Sequence, residues 1–127
     1  MKKPGFGLMR LPQNSADYGD VNIETVKAIV DAFMASGCTY FDTAAPYHRG
    51  NSEAAFREAV AKRYPGSAYT ITDKLSLFMI SWAEEMPGFF AGQLERLGLA
   101  YIDYYLLHAL GQASYQKAEQ FHAFEFI

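Results

Sequence analysis

Leu97-Gly98-Leu99-Ala100-Tyr101-Ile102-Asp103-Tyr104-Tyr105-Leu106-Leu107-His108 is the stretch that decides the fold. Gly98 is a good helix stop. The run behind it, Tyr101 to Leu107, is almost continuously apolar, which is typical of a strand buried on both faces of a parallel sheet. Parallel strands need a crossover between them, usually a helix. The stretch therefore marks the end of one helix and the start of one strand, and it predicts the same alternation on either side.

Upstream, the alternation repeats. Ser81-x-x-Glu84 has the form of a capping box, and Phe89, Phe90, Leu94 and Leu97 supply an apolar helical face. Pro87 lies too far inside a helix capped by Ser81 to be harmless. It predicts a kink, or a helix that begins near Pro87 itself. Ala68 to Thr72 reads as a third strand leading to Lys74. Before it, Asn51 or Ser52 can cap a helix with Ala55, Phe56, Ala59 and Val60 inward and Pro65 beyond its end. Thr39 to Thr43 is β-branched and aromatic, hence a second strand, and Ala44 to Gly50 is a loop. Asp20 or Asn22 can cap a first helix on which Ile23, Val26, Ile29, Val30, Phe33 and Met34 share a face, with Gly37 as its stop. Gly5 to Arg10 reads as a short first strand. Downstream, Ser114 to Phe124 is a last, weaker helix.

The fold class is therefore α/β: about four strands and four helices in successive units, with parallel strands and right-handed crossovers. The 127 residues form a single domain. Half of them are hydrophobic, enough to bury a core. A formal net charge of −3 gives no reason to expect nucleic acid or an anionic membrane as partner. The apolar runs are far shorter than the ~20 residues of a membrane span. Met1-Lys2-Lys3-Pro4-Gly5 has basic residues with no apolar stretch behind them, so no secretory signal is expected. One cysteine, Cys38, excludes an internal disulfide and a multi-cysteine metal cluster. A cytoplasmic setting fits all of this.

Asp42, Tyr47, Lys74 and His108 each fall at, or just past, the end of a strand that a helix follows. In β/α proteins residues at that end meet around one pocket. An acid, a phenol, an amine and an imidazole there suit proton chemistry on a carbonyl. Tyr47 is the candidate acid. A free phenol holds its proton to pH about 10, and a neighbouring ammonium favours the phenolate. Lys74 can supply that charge, Asp42 can hold Lys74, and His108 can orient the carbonyl by a hydrogen bond. Carbonyl reduction also needs a hydride, which no side chain supplies, so a nicotinamide cofactor is implied.

Tyr40-Phe41-Asp42-Thr43-Ala44-Ala45-Pro46-Tyr47, followed by Ser52-Glu53, resembles the "FDTA…Y…SE" signature of aldo-keto reductases. Asp73-Lys74-Leu75 is similar to the family's lysine segment, and Leu97 to His108 to its "RLG…YIDYYLLH" segment. The three motifs occur in order, and the resemblance covers nearly the whole chain. It implies half of a TIM-barrel-type fold, its first four strand–helix units. It also implies a catalytic tetrad of Asp42, Tyr47, Lys74 and His108, with NADPH as cofactor and a small aldehyde or ketone as substrate. Most of the dinucleotide grip in the family comes from later strands. Two readings stay open: a reductase, and a truncated, non-catalytic remnant.

Each residue also has a plainer reading. Asp42 could cap a turn, Tyr47 could be a packed aromatic, Lys74 a solvated charge and His108 a satisfied core histidine. Trp82 could line a substrate pocket or staple its helix. His48 could touch substrate or be a solvated loop residue. The resemblance implies a cofactor contact for Glu53, which equally suits a helix first turn through the helix dipole. A metal site built from Asp42, His48, Glu53 and His108 has no recognised spacing, and Cys38 reads as a small buried hydrophobe. A half barrel leaves open strand edges and an unfilled apolar interior. Self-association, most simply as a homodimer, is the expected consequence.

Overall fold

The computed structural model describes residues 3–127; Met1 and Lys2, part of the start read above for a signal, lie outside the described residues. Four strands form one sheet in the order β1-β2-β3-β4, every neighbouring pair parallel. They are β1 (Phe6–Gly7), β2 (Tyr40–Asp42), β3 (Thr70–Leu75) and β4 (Tyr104–Leu107). The crossovers carry α1 (Ile23–Ala35), α2 (Ser52–Phe56, continued by a π turn over Arg57–Ala61) and α3 (Met86–Leu97). After β4 come α4 (Gln112–Gln120) and α5 (Ala123–Phe126). A parallel sheet whose spatial order equals its chain order, with a helix in each crossover, is the beginning of a β/α barrel.

Register assigns the faces. Phe6, Phe41 and Ile71 lie side by side across three strands and point toward the helices. One residue further on, Gly7, Asp42, Thr72 and Tyr104 form a row on the opposite, concave face. Alternation then sends Asp73 and Tyr105 to the helix side and Lys74 and Leu106 to the concave side. The helix side is well filled. Phe41 is fully buried, and its ring meets those of Phe6, Phe33, Phe56 and Tyr69 at centroid distances of 5.2–6.3 Å. Val26, Val30, Val60 and Leu97 complete that core, and Leu75, Leu77, Met86, Ala118 and Ala123 form a second one under α4 and α5.

Several expectations need adjustment. β1 is only two residues long, because Leu8–Arg10 turns into a 3₁₀ segment. β3 runs through Lys74 to Leu75, so the lysine is within the strand and not beyond it. β4 begins at Tyr104: Asp103 instead uses its carboxylate to accept the Ile71 N–H at 2.8 Å. Nor is β4 buried on both faces, since Tyr104 is 58% and Leu106 44% exposed on the concave side. Asn22 caps α1, accepting from the Thr25 N–H at 2.9 Å. Asn51 does not cap α2, because its amide donates to the Gly19 carbonyl. Around Pro87 the helix begins at Met86, which puts the proline in the first turn, where its missing N–H costs nothing. The carboxylate that accepts the Ser81 and Trp82 N–H groups is Glu85, not Glu84. The last helix is two, divided at His122, whose φ of 54° is left-handed.

Candidate active site

Asp42 ends β2, and Lys74 lies on the same concave face of β3, two residues beyond Asp42's register partner Thr72. That diagonal is within reach of a lysine side chain. Lys74 Nζ donates to Asp42 Oδ1 at 2.7 Å and to the Thr43 carbonyl at 2.6 Å. Both side chains keep some water contact, 12% for Lys74 and 32% for Asp42. The same ammonium sits 5.1 Å from the centre of the Tyr47 ring, a cation–π contact. Tyr47 opens the turn Tyr47–Gly50, anchored by its N–H to the Ala44 carbonyl. Its ring stands edge-on to His108, centroids 5.6 Å apart and planes at 88°. The four residues therefore form one continuous set, with Lys74 at its centre.

The loop leaving β3 completes the set. Ser76, fully buried, bonds its hydroxyl to His108 Nδ1 at 2.8 Å. With that hydroxyl donating, Nε2 carries the ring proton and can donate to a carbonyl oxygen. Burial, and then the Lys74 charge, hold His108 below the ordinary histidine range, against a smaller opposing pull from Asp42. The ring is accordingly a neutral donor near pH 7. Phe78, 61% exposed, also lies against the ring, with centroids 5.5 Å apart. Lys117, from α4, ties this loop down by donating to the Leu77 and Ile80 carbonyls at 2.7 Å each. On the opposite flank Ser52 donates to the Leu8 carbonyl at 3.1 Å, so its contact with Thr43 Oγ1 at 2.8 Å is a bond donated by Thr43. That pair fixes the start of α2 beneath the Tyr47 turn.

Residues 4–125 match the model of the aldo/keto reductase family. The chain belongs to the aldo/keto reductase family. An aldo-keto reductase of Mycolicibacterium paratuberculosis is 40% identical over 85 residues, covering 67% of this chain and 29% of the relative. The chain thus spans about three tenths of that relative's length. Among solved structures, the holo form of an aldo-keto reductase from Bacillus halodurans superposes with a TM-score of 0.72 at 24% identity, over 97% of this chain and 41% of that one. A Klebsiella pneumoniae aldo-keto reductase, solved in complex with NADPH, gives 0.70 at 23% identity over 92% and 38%. Both likenesses concern the fold: four parallel strands alternating with helices, as in part of the reductase barrel.

In this aldo-keto reductase chain His48 and Trp82, the two residues read as substrate contacts, make no side-chain bond to Asp42, Tyr47, Lys74 or His108 among the described residues. His48 has φ 52° and is fully buried, stacked on Tyr18. Its Nε2 accepts the Leu11 N–H at 2.8 Å, and its Nδ1–H donates to the Tyr18 carbonyl at 2.7 Å. No polar edge of the ring is left for a substrate. Trp82 is 69% exposed just before the short turn Ala83–Glu85. Besides Tyr47, the aromatic ring against His108 is that of Phe78. Sequence reasoning passed over Ser76 and Phe78, although both lie within four residues of Lys74 in the loop that leaves the rim end of β3. Glu53 lies in the first turn of α2, as read, and is also fully buried and paired with Arg96. Cys38 is buried, as read.

The donor set fits the reacting end of NADPH chemistry: a phenol, a neutral imidazole and an ion pair around one open face. The far end of the dinucleotide is another matter. Lys74 is engaged by Asp42 and Thr43, and no other cation bonds to the four among the described residues. Also among the described residues, no group of His, Cys, Asp and Glu is arranged to hold a metal, and no helix is long and apolar enough to cross a membrane.

Proposed function

We propose that this chain carries the catalytic rim of an NADPH-dependent aldo-keto reductase acting on an aldehyde or ketone in the cytoplasm. One observation supports it above the others: Lys74 bonds to Asp42 while lying against Tyr47, and Tyr47 lies against His108. NADPH, when bound, supplies the hydride to the carbonyl carbon. Tyr47 gives its phenolic proton to the carbonyl oxygen, so that an alcohol is formed. The Lys74 ammonium stabilises the charge left on Tyr47, and Asp42 keeps that ammonium in place. His108 donates from Nε2 to the same oxygen and orients it.

Titration of NADPH into the protein, followed by fluorescence, is expected to give saturable binding. Absence of binding at millimolar cofactor overturns the reading for this chain. Where binding is seen, Tyr47→Phe should lower carbonyl reduction by about 10²–10⁴-fold, the usual worth of a general acid, with cofactor affinity unchanged. Retained turnover removes the role from Tyr47.

A second reading, a non-catalytic remnant that self-associates, is favoured by a separate observation. Tyr40, Tyr104 and Leu106 are 38%, 58% and 44% exposed on the concave face, and β4 is hydrogen-bonded to a neighbour on one side. Open edges and apolar faces of this kind drive association. Light scattering of the protein should then report a dimer or larger species, and a monodisperse monomer excludes this reading.

A further inference from the structure

Behind Lys74, on the helix side of the sheet, lies a group of polar side chains that the proposed reaction does not use. Asp73 and Glu53 are both fully buried there. Asp73 Oδ1 accepts the backbone N–H of Lys74 at 2.7 Å. Glu53 accepts from Gln93 Nε2 at 3.2 Å and from Arg96 Nε. Gln93 Nε2 also donates to the Lys74 carbonyl at 3.0 Å, and Gln93 Oε1 accepts the Tyr105 hydroxyl. Both backbone groups of Lys74 are therefore held from behind by this group, while its side chain serves the rim in front.

Counting charge and protons exposes a gap. Asp73 Oδ2 is buried with no hydrogen-bond donor. Glu53 on α2 shares Gln93 Nε2 with the Lys74 carbonyl, which brings its charge against Asp73. The ionisable groups around Asp73 are Glu53 on α2, Arg96 on α3, Tyr105 on β4 and Lys74 on β3, whose ammonium is spent on Asp42 at the other face. Among the described residues, Arg96 is thus the single cation bonded to these two buried carboxyls. Two like charges side by side in an apolar interior cannot both stand ionised, and a proton on Oδ2 would satisfy both the count and the empty oxygen.

We propose that Asp73 is a positioning residue: a neutral acid that donates its proton to Glu53, closing a buried Asp73–Glu53–Gln93–Arg96–Tyr105 network that fixes the backbone of Lys74. The consequence for catalysis rests on the reductase reading above; the shared proton does not. Burial foremost, then the Glu53 charge, raise the Asp73 carboxyl to about 8, against the pull of the Lys74 N–H. The folded chain therefore keeps a proton that the unfolded chain gives up near pH 4. The resulting stability is complete below about pH 4 and is lost as pH rises to about 8. His108, with its folded value lowered, acts in the opposite sense, but only below its unfolded value of about 6.5. From there to about pH 8, Asp73 sets the slope.

Isotope-edited infrared spectroscopy of the whole chain is the direct test. A protonated carboxyl band is expected at pH 6.5, lost with a midpoint near 8 and missing in Asp73→Asn. Its absence from the wild type at pH 6.5 overturns the proposal, and this arm needs no variant to fold. The positioning role is read at Lys74 itself, through the NMR signal of its labelled Nζ. That signal should shift with the same midpoint as the band in the wild type, and stay fixed over the range in Asp73→Asn, whose amide keeps a donor to Glu53. A Lys74 signal indifferent to the carboxyl step refutes positioning. Failure of NADPH binding, by contrast, bears on the reductase reading alone.

Discussion

Phe41→Ala is expected to cost about 3–5 kcal/mol of folding stability, the usual range for removing a large aromatic from a packed core. Phe41 is the ring around which the first three strand–helix units close, with Phe6, Phe33, Phe56 and Tyr69 as neighbours. It has no solvent exposure, so the cavity left behind cannot be filled by water at the surface. Domains of this size are stable by roughly 5–15 kcal/mol in total, and the loss is a large share of that. Since Asp42 follows directly, a disordered β2 would also release the partner of Lys74. Urea unfolding monitored by circular dichroism measures the effect. A loss below about 1 kcal/mol would show that β2 is not the packing centre.

The second large effect is expected at Arg96. Glu53 has no exposure, whereas Arg96 is 41% exposed, so the pair straddles the boundary of the interior. Removing one member of a buried pair leaves the other charged without its counter-ion, at about 3–5 kcal/mol. Water reaching the vacated arginine site should hold Arg96→Met to the low end, about 3 kcal/mol. The double variant Arg96→Met/Glu53→Gln removes the stranded charge and should recover part of the loss. Equal losses in the single and double variants, by urea midpoint, would mean that Arg96 contributes packing and not charge.

Much of this arrangement is legible in the sequence because it depends on local periodicity. β2 and β3, the helix over Ile23–Ala35 and the stop at Gly98 follow from alternation, capping and left-handed glycine. The meeting of Asp42, Tyr47, Lys74 and His108 follows from their place at one end of successive parallel strands. Partners far away in sequence are a different matter. His48 reads as a loop residue until the backbone groups of Leu11 and Tyr18 close on its ring. Glu53 reads as a helix-dipole residue until Arg96 and Gln93, some forty positions on, turn toward it. The apolar run of β4 suggests double burial, but only packing decides which face is covered, and here the concave one is open. Asp73 could have been placed by alternation, since it must point away from Lys74's face. Its charge state could not, because that depends on who shares the interior with it.

The tie from Lys117 to the Leu77 and Ile80 carbonyls has a consequence in time. Chains emerge from the ribosome N-terminus first, at about 5–20 residues per second, and contacts distant in sequence form late. Asp42, Tyr47 and Lys74 can meet as soon as β3 is out. Ser76 and Phe78 sit on a loop whose fastening is forty residues further along. The histidine side of the rim is therefore assembled last, only after α4 has been made and has docked.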